Sequence, residues 1–379
     1  MTHSLLGGLT PDRFLRRHWQ KAPLLIRGAI SSFEDPLDLN DLIALACRDD
    51  CVSRLVTHRG DRWQVNHGPF RRRQLERLPS RGWTLLVQGV ETFLPAARKL
   101  LDRFRFIPYA RLDDLMVSYA PPGSGVGPHF DSYDVFLLQG VGTRRWQISR
   151  QSDLELVEGA PLKLLRNFRI QGECILETGD MLYLPPQIAH DGVALSSCQT
   201  YSIGFRAPSQ TELISNFLSF LEDRFPEDGH YRDPDLRSQR FPAAISPDMI
   251  SKIERTLGKL HWRRADVVEF LGCHLTEPRS PSPLAPPSRA LSKLDFLRRA
   301  RSRGLELTLA SQMLYCGRQL FINGEQLTVA PDVPAQLRPL ADLRRLSAVQ
   351  IPAASETIDL LYQWYRDGYI IPAGPSARN

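Results

Sequence analysis

Lysine is nearly absent from this chain of 379 residues. There are six, Lys21, Lys99, Lys163, Lys252, Lys259 and Lys293, so the basic side of the charge balance is almost entirely arginine. Paired cysteines are absent too. Cys47, Cys51, Cys174, Cys198, Cys273 and Cys316 include no C-x-x-C spacing, which argues against a zinc module and against a disulfide framework. Cys47 and Cys51, four apart, read as buried small apolar residues. No stretch approaches the roughly eighteen apolar residues that cross a bilayer, and no basic segment followed by an apolar run opens the chain. These absences lead us to expect a cytoplasmic protein in a reducing compartment, without membrane association.

What is present is ordinary globular composition: 42% hydrophobic, 24% charged and 9% aromatic residues, unlike a disordered or collagen-like chain. The length is two to three times that of a typical domain, so a core with appended modules is expected. Forty-eight basic against 42 acidic residues gives +6. Read as a modest excess spread over the whole length, this favours nucleic acid or ribonucleoprotein partners only weakly, and solvation of a surface accounts for it equally.

Thr10-Pro11-Asp12 ahead of Phe14, Leu15 and Trp19 is a helix start, with an N-cap, proline in the first turn and an acidic residue behind it. Helices are expected near Asn40–Cys47, Arg71–Leu78 and Phe93–Phe106. From Leu112 the pattern becomes short apolar runs broken by glycine and proline: Leu115–Tyr119, Val135–Gln139, Arg145–Ser149, Glu173–Glu177, Met181–Leu184, Gly192–Leu195 and Thr200–Phe205. Runs of this kind without helical crossovers predict an all-β sandwich or barrel. Beyond Pro208, Leu213, Phe217, Phe220 and Leu221 share one helical face. Met249, Ile250, Ile253, Leu257 and Leu260 share another after Ser246-Pro247, with a polar loop Pro226–Pro242 between them. Such stripes must pack on the β core or on a second copy. A proline-rich stretch, Glu277–Ser288, reads as a stiff linker. After it come a helix Leu291–Arg303, strands Gln312–Tyr315 and Arg318–Ile322, an Asn323-Gly324 turn, a strand Gln326–Val329 and a helix Ser355–Arg366, as in a winged-helix-like module.

The chemistry concentrates in Val126-Gly127-Pro128-His129-Phe130-Asp131, with His190 following 59 residues after the aspartate. Two imidazoles and one carboxylate are the ligand set that holds Fe(II) on one face and leaves positions open. On an extended segment, residues two apart point to the same side, so His129 and Asp131 can share an ion. His190 follows a turn, a strand and the break at Pro185-Pro186. The alternative is a surface His/Asp pair with an unrelated buried histidine. In Gly140–Ile148, parity places Arg144 on the buried face with Trp146 and Ile148. A guanidinium there needs a partner, either a ligand carboxylate or an internal acid. Ser118, on the Met116/Ser118/Ala120 face, can add a hydroxyl to the same carboxylate or bond to backbone. Tyr133, Asp134 and Asp191 lie close to the ligands and either meet a cationic target side chain or bond within turns. His58, His67, His230, His261 and His274 read as structural or surface residues.

The runs Ser118–Asp131, Tyr133–Gly140, Gly179–Pro186 with His190, and Tyr201–Pro208 resemble the bacterial JmjC/cupin ribosomal oxygenases of the YcfD (RoxA) type. Leu9–Phe14 and Trp19–Pro23 extend the likeness to the start of the chain. The resemblance implies a mainly β fold with α additions: a double-stranded β-helix, a helical dimerisation region and a winged-helix-like C-terminal module. The corresponding boundaries are 1–208 (barrel about 112–208), 209–277, a linker at 278–290, and 291–379. It implies Fe(II) held by His129, Asp131 and His190, with 2-oxoglutarate and O2 as cosubstrates. Arg144 would bind the distal carboxylate of 2-oxoglutarate, with Ser118 nearby. The implied reaction is hydroxylation of the β-carbon of an arginine in large-subunit ribosomal protein L-sixteen by a homodimer, for which direct nucleic acid binding is not required. The competing readings are a JmjC-type hydroxylase or demethylase of a non-ribosomal protein, and a non-catalytic ribosome-binding scaffold.

Overall fold

The structure, a computed structural model, describes residues 5–60, 62–224, 230–279, 281, 283–327 and 333–374. Parts of the expected loop Pro226–Pro242, of the strand Gln326–Val329 and of the 278–290 linker lie outside the described residues.

The first part of the chain forms α1 (Pro11–Arg17), β1 (Leu24–Ile26), α2 (Leu39–Ala46), β2 (Ser53–Arg59), β3 (Arg62–His67), α3 (Arg72–Glu76), β4 (Trp83–Val87) and α4 (Pro95–Leu101). The expected helix start is realised as read: the Thr10 hydroxyl accepts from the Arg13 amide at 3.3 Å, and Pro11 opens the first turn. Next come β5 (Leu112–Ala120), β6 (Val135–Gln139), β7 (Arg144–Ser149), β8 (Gly172–Leu176), β9 (Met181–Leu184), β10 (Ala189–Ala194) and β11 (Cys198–Phe205).

These strands make two antiparallel sheets, one of eight strands in the order β1-β9-β6-β11-β5-β4-β2-β3 and one of three, β10-β7-β8. The barrel expected from about residue 112 therefore extends further: four strands preceding Leu112 join its main sheet.

Period-two alternation gives the main sheet two different faces. Phe136, Leu138, Tyr183, Tyr201, Ile203 and Val117 face outward and pack under the helices against Phe14, Leu42, Leu101 and Phe104. Phe14 is fully buried, its ring 4.9 Å from that of Tyr183 and 5.4 Å from that of Phe136. Val135, Leu137, Leu182 and Leu184 face inward and meet Trp146 and Leu176 of the small sheet. This inner layer is the floor of the site.

Helices α5 (Gln210–Glu222), α6 (Pro247–Leu257) and α7 (Arg264–Thr276) follow. The stripe read on α6 is open, with Met249, Ile250 and Ile253 exposed and Leu257 66% exposed, whereas the stripe read on α5 is half-buried to buried and the exposed apolar side chains of α5 are Ile214 and Leu218 beside it.

The last part comprises α8 (Lys293–Arg303), β12 (Leu305–Leu307), β13 (Met313–Cys316), β14 (Gln319–Ile322), β15 (Glu325–Gln326), α9 (Val333–Leu343), β16 (Arg345–Leu346), α10 (Ser355–Arg366) and β17 (Ile370–Pro372). Its own core joins Phe296, Leu320, Leu337, Leu361, Trp364 and Ile370. Helix α7 docks on this module, where the Gly324 amide donates to the Thr276 hydroxyl at 3.0 Å. Arg279 ties the linker to β5 through Asp113 and Asp114. No helix among the described residues is long and apolar enough to cross a membrane.

Candidate active site

His129, Asp131 and His190 come together. One ligand atom from each lies within 4.8 Å of the others, and His190 Nε2 is 3.7 Å from Asp131 Oδ2. Backbone pairing accounts for the convergence. The His129 amide donates to the His190 carbonyl at 2.9 Å and the His190 amide returns the bond at 2.8 Å, while the Gln187 amide donates to the Asp131 carbonyl at 2.7 Å. The H-x-D segment is thus stitched alongside the start of β10.

Each imidazole is oriented by its far nitrogen. His129 Nδ1 lies 2.8 Å from the Gly127 carbonyl, and His190 Nδ1 lies 2.8 Å from the Ile188 carbonyl. A carbonyl only accepts, so Nδ1 carries the proton in both rings and each Nε2 lone pair is free. Burial, and then the neighbouring His129, push His190 down to about 4, so at neutral pH it is an uncharged donor. Two neutral nitrogens and one carboxylate oxygen, fixed by backbone contacts, fit a facial Fe(II) site.

Arg144 is where parity placed it, 3% exposed on the inner face of β7 and opposite Ala194 of β10. Its Nη1 makes only a long 3.5 Å bond to the Gly192 carbonyl, and its Nε and Nη2 are buried without a protein partner. A buried guanidinium with two unmatched donors calls for an anion. A ligand carboxylate supplies two acceptors in the matching fork geometry.

Ser118 faces the same interior. The register runs Arg54, Leu86, Ser118, Thr200, Gln139 across β2, β4, β5, β11 and β6, placing these side chains in one inward-facing row. Gly192 allows β10 to pass close to the Trp146 ring, since a Cβ there would lie 2.6 Å from the ring carbons.

The three neighbours of the ligands separate. Asp134 is fully buried and serves the fold, accepting from the Tyr183 hydroxyl at 2.5 Å and from the Gln20 side-chain Nε2 at 3.0 Å. Asp191 shares the outward parity of Arg145 and Gln147, with one carboxylate oxygen buried and without a protein partner. Tyr133 stays at the mouth, its phenol pushed up by burial and by the adjacent Asp131 carboxylate. His58 stacks on Trp63 with ring centres 4.6 Å apart, and His274 stacks on Phe270, both structural uses.

Two residues of the site were not read from the sequence. Arg54 belongs to the inner row, with its Nε buried and unpartnered. Trp63 packs against Gly127, two residues before His129, in contact range of any Cβ added there. Both sit on the β2–β3 hairpin. The one available signal was the alternation in Ser53–Arg59, where polar side chains mask the strand.

The family described as JmjC domain matches residues 99–213, and the ROXA-like winged helix matches residues 259–370. The ribosomal protein uL16 3-hydroxylase of Escherichia coli strain K12 is 35% identical over 329 residues, 86% of this chain and 87% of that protein. A probable ribosomal oxygenase of Haemophilus influenzae is 39% identical over 257 residues, 66% of this chain and 60% of its own length. The solved structure of YcfD, a ribosomal oxygenase from Escherichia coli, in complex with cobalt and 2-oxoglutarate superposes with a TM-score of 0.82 at 32% identity, over 97% of this chain and 99% of that one. With likeness of this extent in both sequence and fold, the chain belongs to the JmjC-domain ribosomal oxygenase family.

Proposed function

We propose that this protein is an Fe(II)- and 2-oxoglutarate-dependent hydroxylase acting on the β-carbon of an arginine in large-subunit ribosomal protein uL16 (L-sixteen). The observation that carries the reading is the meeting of His129, Asp131 and His190 beside a buried, under-bonded Arg144. It occurs in a chain similar along most of its length to a uL16 3-hydroxylase.

When bound, iron with 2-oxoglutarate and O2 supplies the oxidising power for C–H hydroxylation, the cosubstrate leaving as succinate and CO2. His129, Asp131 and His190 would hold the metal. Arg144 would donate to the distal carboxylate, with the Ser118 hydroxyl on the same inner face. Trp146, Val135, Leu137 and Leu182 keep the floor dry, and Tyr133 faces the incoming side chain. No proton needs to be moved by a general base, so no further histidine is required.

We divide the chain into an oxygenase domain (1–208), a helical region (209–277), a linker (278–290) and a winged-helix-like domain (291–379), working in the cytoplasm. The open stripe on α6, together with exposed Ile214 and Leu218 of α5, supports a homodimer through that region. Sedimentation of the full chain at micromolar concentration is expected to give the mass of two chains, and a single-chain mass would remove the dimer.

Mass spectrometry of ribosomal proteins from cells lacking the gene tests the substrate. One arginine-containing uL16 peptide should lose a single oxygen relative to the parent strain. An unchanged pattern overturns the assignment.

A further inference from the structure

The charge excess is not spread over the chain. Residues 52–82 hold Arg54, Arg59, Arg62, Arg71, Arg72, Arg73, Arg77 and Arg81 against Asp61 and Glu76. That leaves 40 basic and 40 acidic residues elsewhere, so one segment carries the whole +6 of the protein.

The fold gathers this segment at the free end of the main sheet. β3 is the terminal strand beyond β2. α3 follows β3, and the chain then returns beside β2, where the His58 amide bonds to the Gly82 carbonyl at 2.9 Å. Arg59, Arg62, Arg71, Arg72, Arg73, Arg77 and Arg81 are all exposed. Among the described residues the only ion pair within the segment is Arg72 with Glu76, at 3.4 Å between two exposed groups.

Two placements work against local stability. Arg59 and Arg62 are direct cross-strand partners, and like charges opposite one another destabilise a hairpin. Arg71, Arg72 and Arg73 occupy the N-cap and first turn of α3, with no acidic residue there and no side-chain cap bond, against the helix dipole. Such conflicts with local rules mark surfaces kept for another purpose.

We propose that this end of the sheet binds the phosphate backbone of structured RNA. The cations are guanidinium groups, which take phosphate oxygens bidentately, and the segment contains no lysine. A bilayer is the poorer match, because Val52 at its edge is the only large apolar side chain of the segment that is exposed. Trp63 of the same hairpin rests on Gly127, so RNA held here lies beside the mouth of the metal site. A ribosomal protein is surrounded by RNA, and that link to the substrate rests on the reading above. The RNA contact itself does not.

The test uses the full chain without cofactors and a fluorescent 20-base-pair RNA hairpin, read by anisotropy as salt is raised. Wild type should bind at low salt. R71Q/R72Q/R73Q should bind at least ~10-fold more weakly, with the slope of log K against log salt reduced by about 2 to 3, and R59Q/R62Q should show a smaller change of the same kind. Thermal midpoints should not fall. Absence of RNA binding, an unchanged slope in the triple variant, or equal or tighter binding to phosphatidylserine vesicles or polyglutamate overturns the proposal. No turnover is measured, so failure of the uL16 assignment leaves this result untouched, and failure here leaves that assignment standing.

Discussion

Asp131→Ala is expected to abolish turnover while leaving the fold intact. The carboxylate is the only anionic member of the ligand set, and the backbone bond from the Gln187 amide to the residue 131 carbonyl survives the change. Loss of partners outside a ligand set already costs 10- to 100-fold, so loss of a ligand should lower metal affinity and succinate formation by more than ~100-fold. His129→Ala should behave alike. Metal titration followed by a coupled assay of succinate and peptide oxidation reads both. Wild-type turnover by Asp131→Ala at limiting metal would sink the iron site.

Arg144→Met should move stability and cosubstrate binding in opposite directions. In the free protein the guanidinium is buried with Nε and Nη2 unmatched, so an apolar side chain of similar length removes a cost and the thermal midpoint should rise. Binding of 2-oxoglutarate should weaken by ~2–5 kcal/mol, the usual effect of truncating one partner of a buried charged pair. Saturating 2-oxoglutarate at 100 times its dissociation constant should stabilise wild type by about 2.7 kcal/mol, and the variant should lose most of that gain. A variant that is both less stable when free and equally stabilised by 2-oxoglutarate would show that Arg144 serves an internal partner instead.

Much of the fold was legible where residues obey a single rule. β6 and β9 are short apolar runs bounded by turns, and both match their expected limits, as does α10. The parity of Trp146 and Ile148 was enough to place Arg144, because a strand leaves only two faces. β2 and β3 escaped for the opposite reason. Their arginines, histidines, glutamine and asparagine give no clean apolar alternation, since one is a near-edge strand and the other the edge itself. α7 begins at Arg264 with no Ser, Thr, Asp or Asn cap, and α9 contains Pro339, so neither announces itself. At the site, sequence spacing supplied the three ligands. It had no means of telling that Asp134, three residues from Asp131, turns into the core to meet Tyr183 and Gln20, whereas Tyr133 stays at the mouth.

The reciprocal backbone bonds between His129 and His190 set the order of assembly. They join His129 and His190 through main-chain atoms, so sheet pairing alone brings two of the three side chains together. A zinc finger must spend metal affinity on folding. Here the fold is expected to outlast removal of the ion by a chelator and to accept it again.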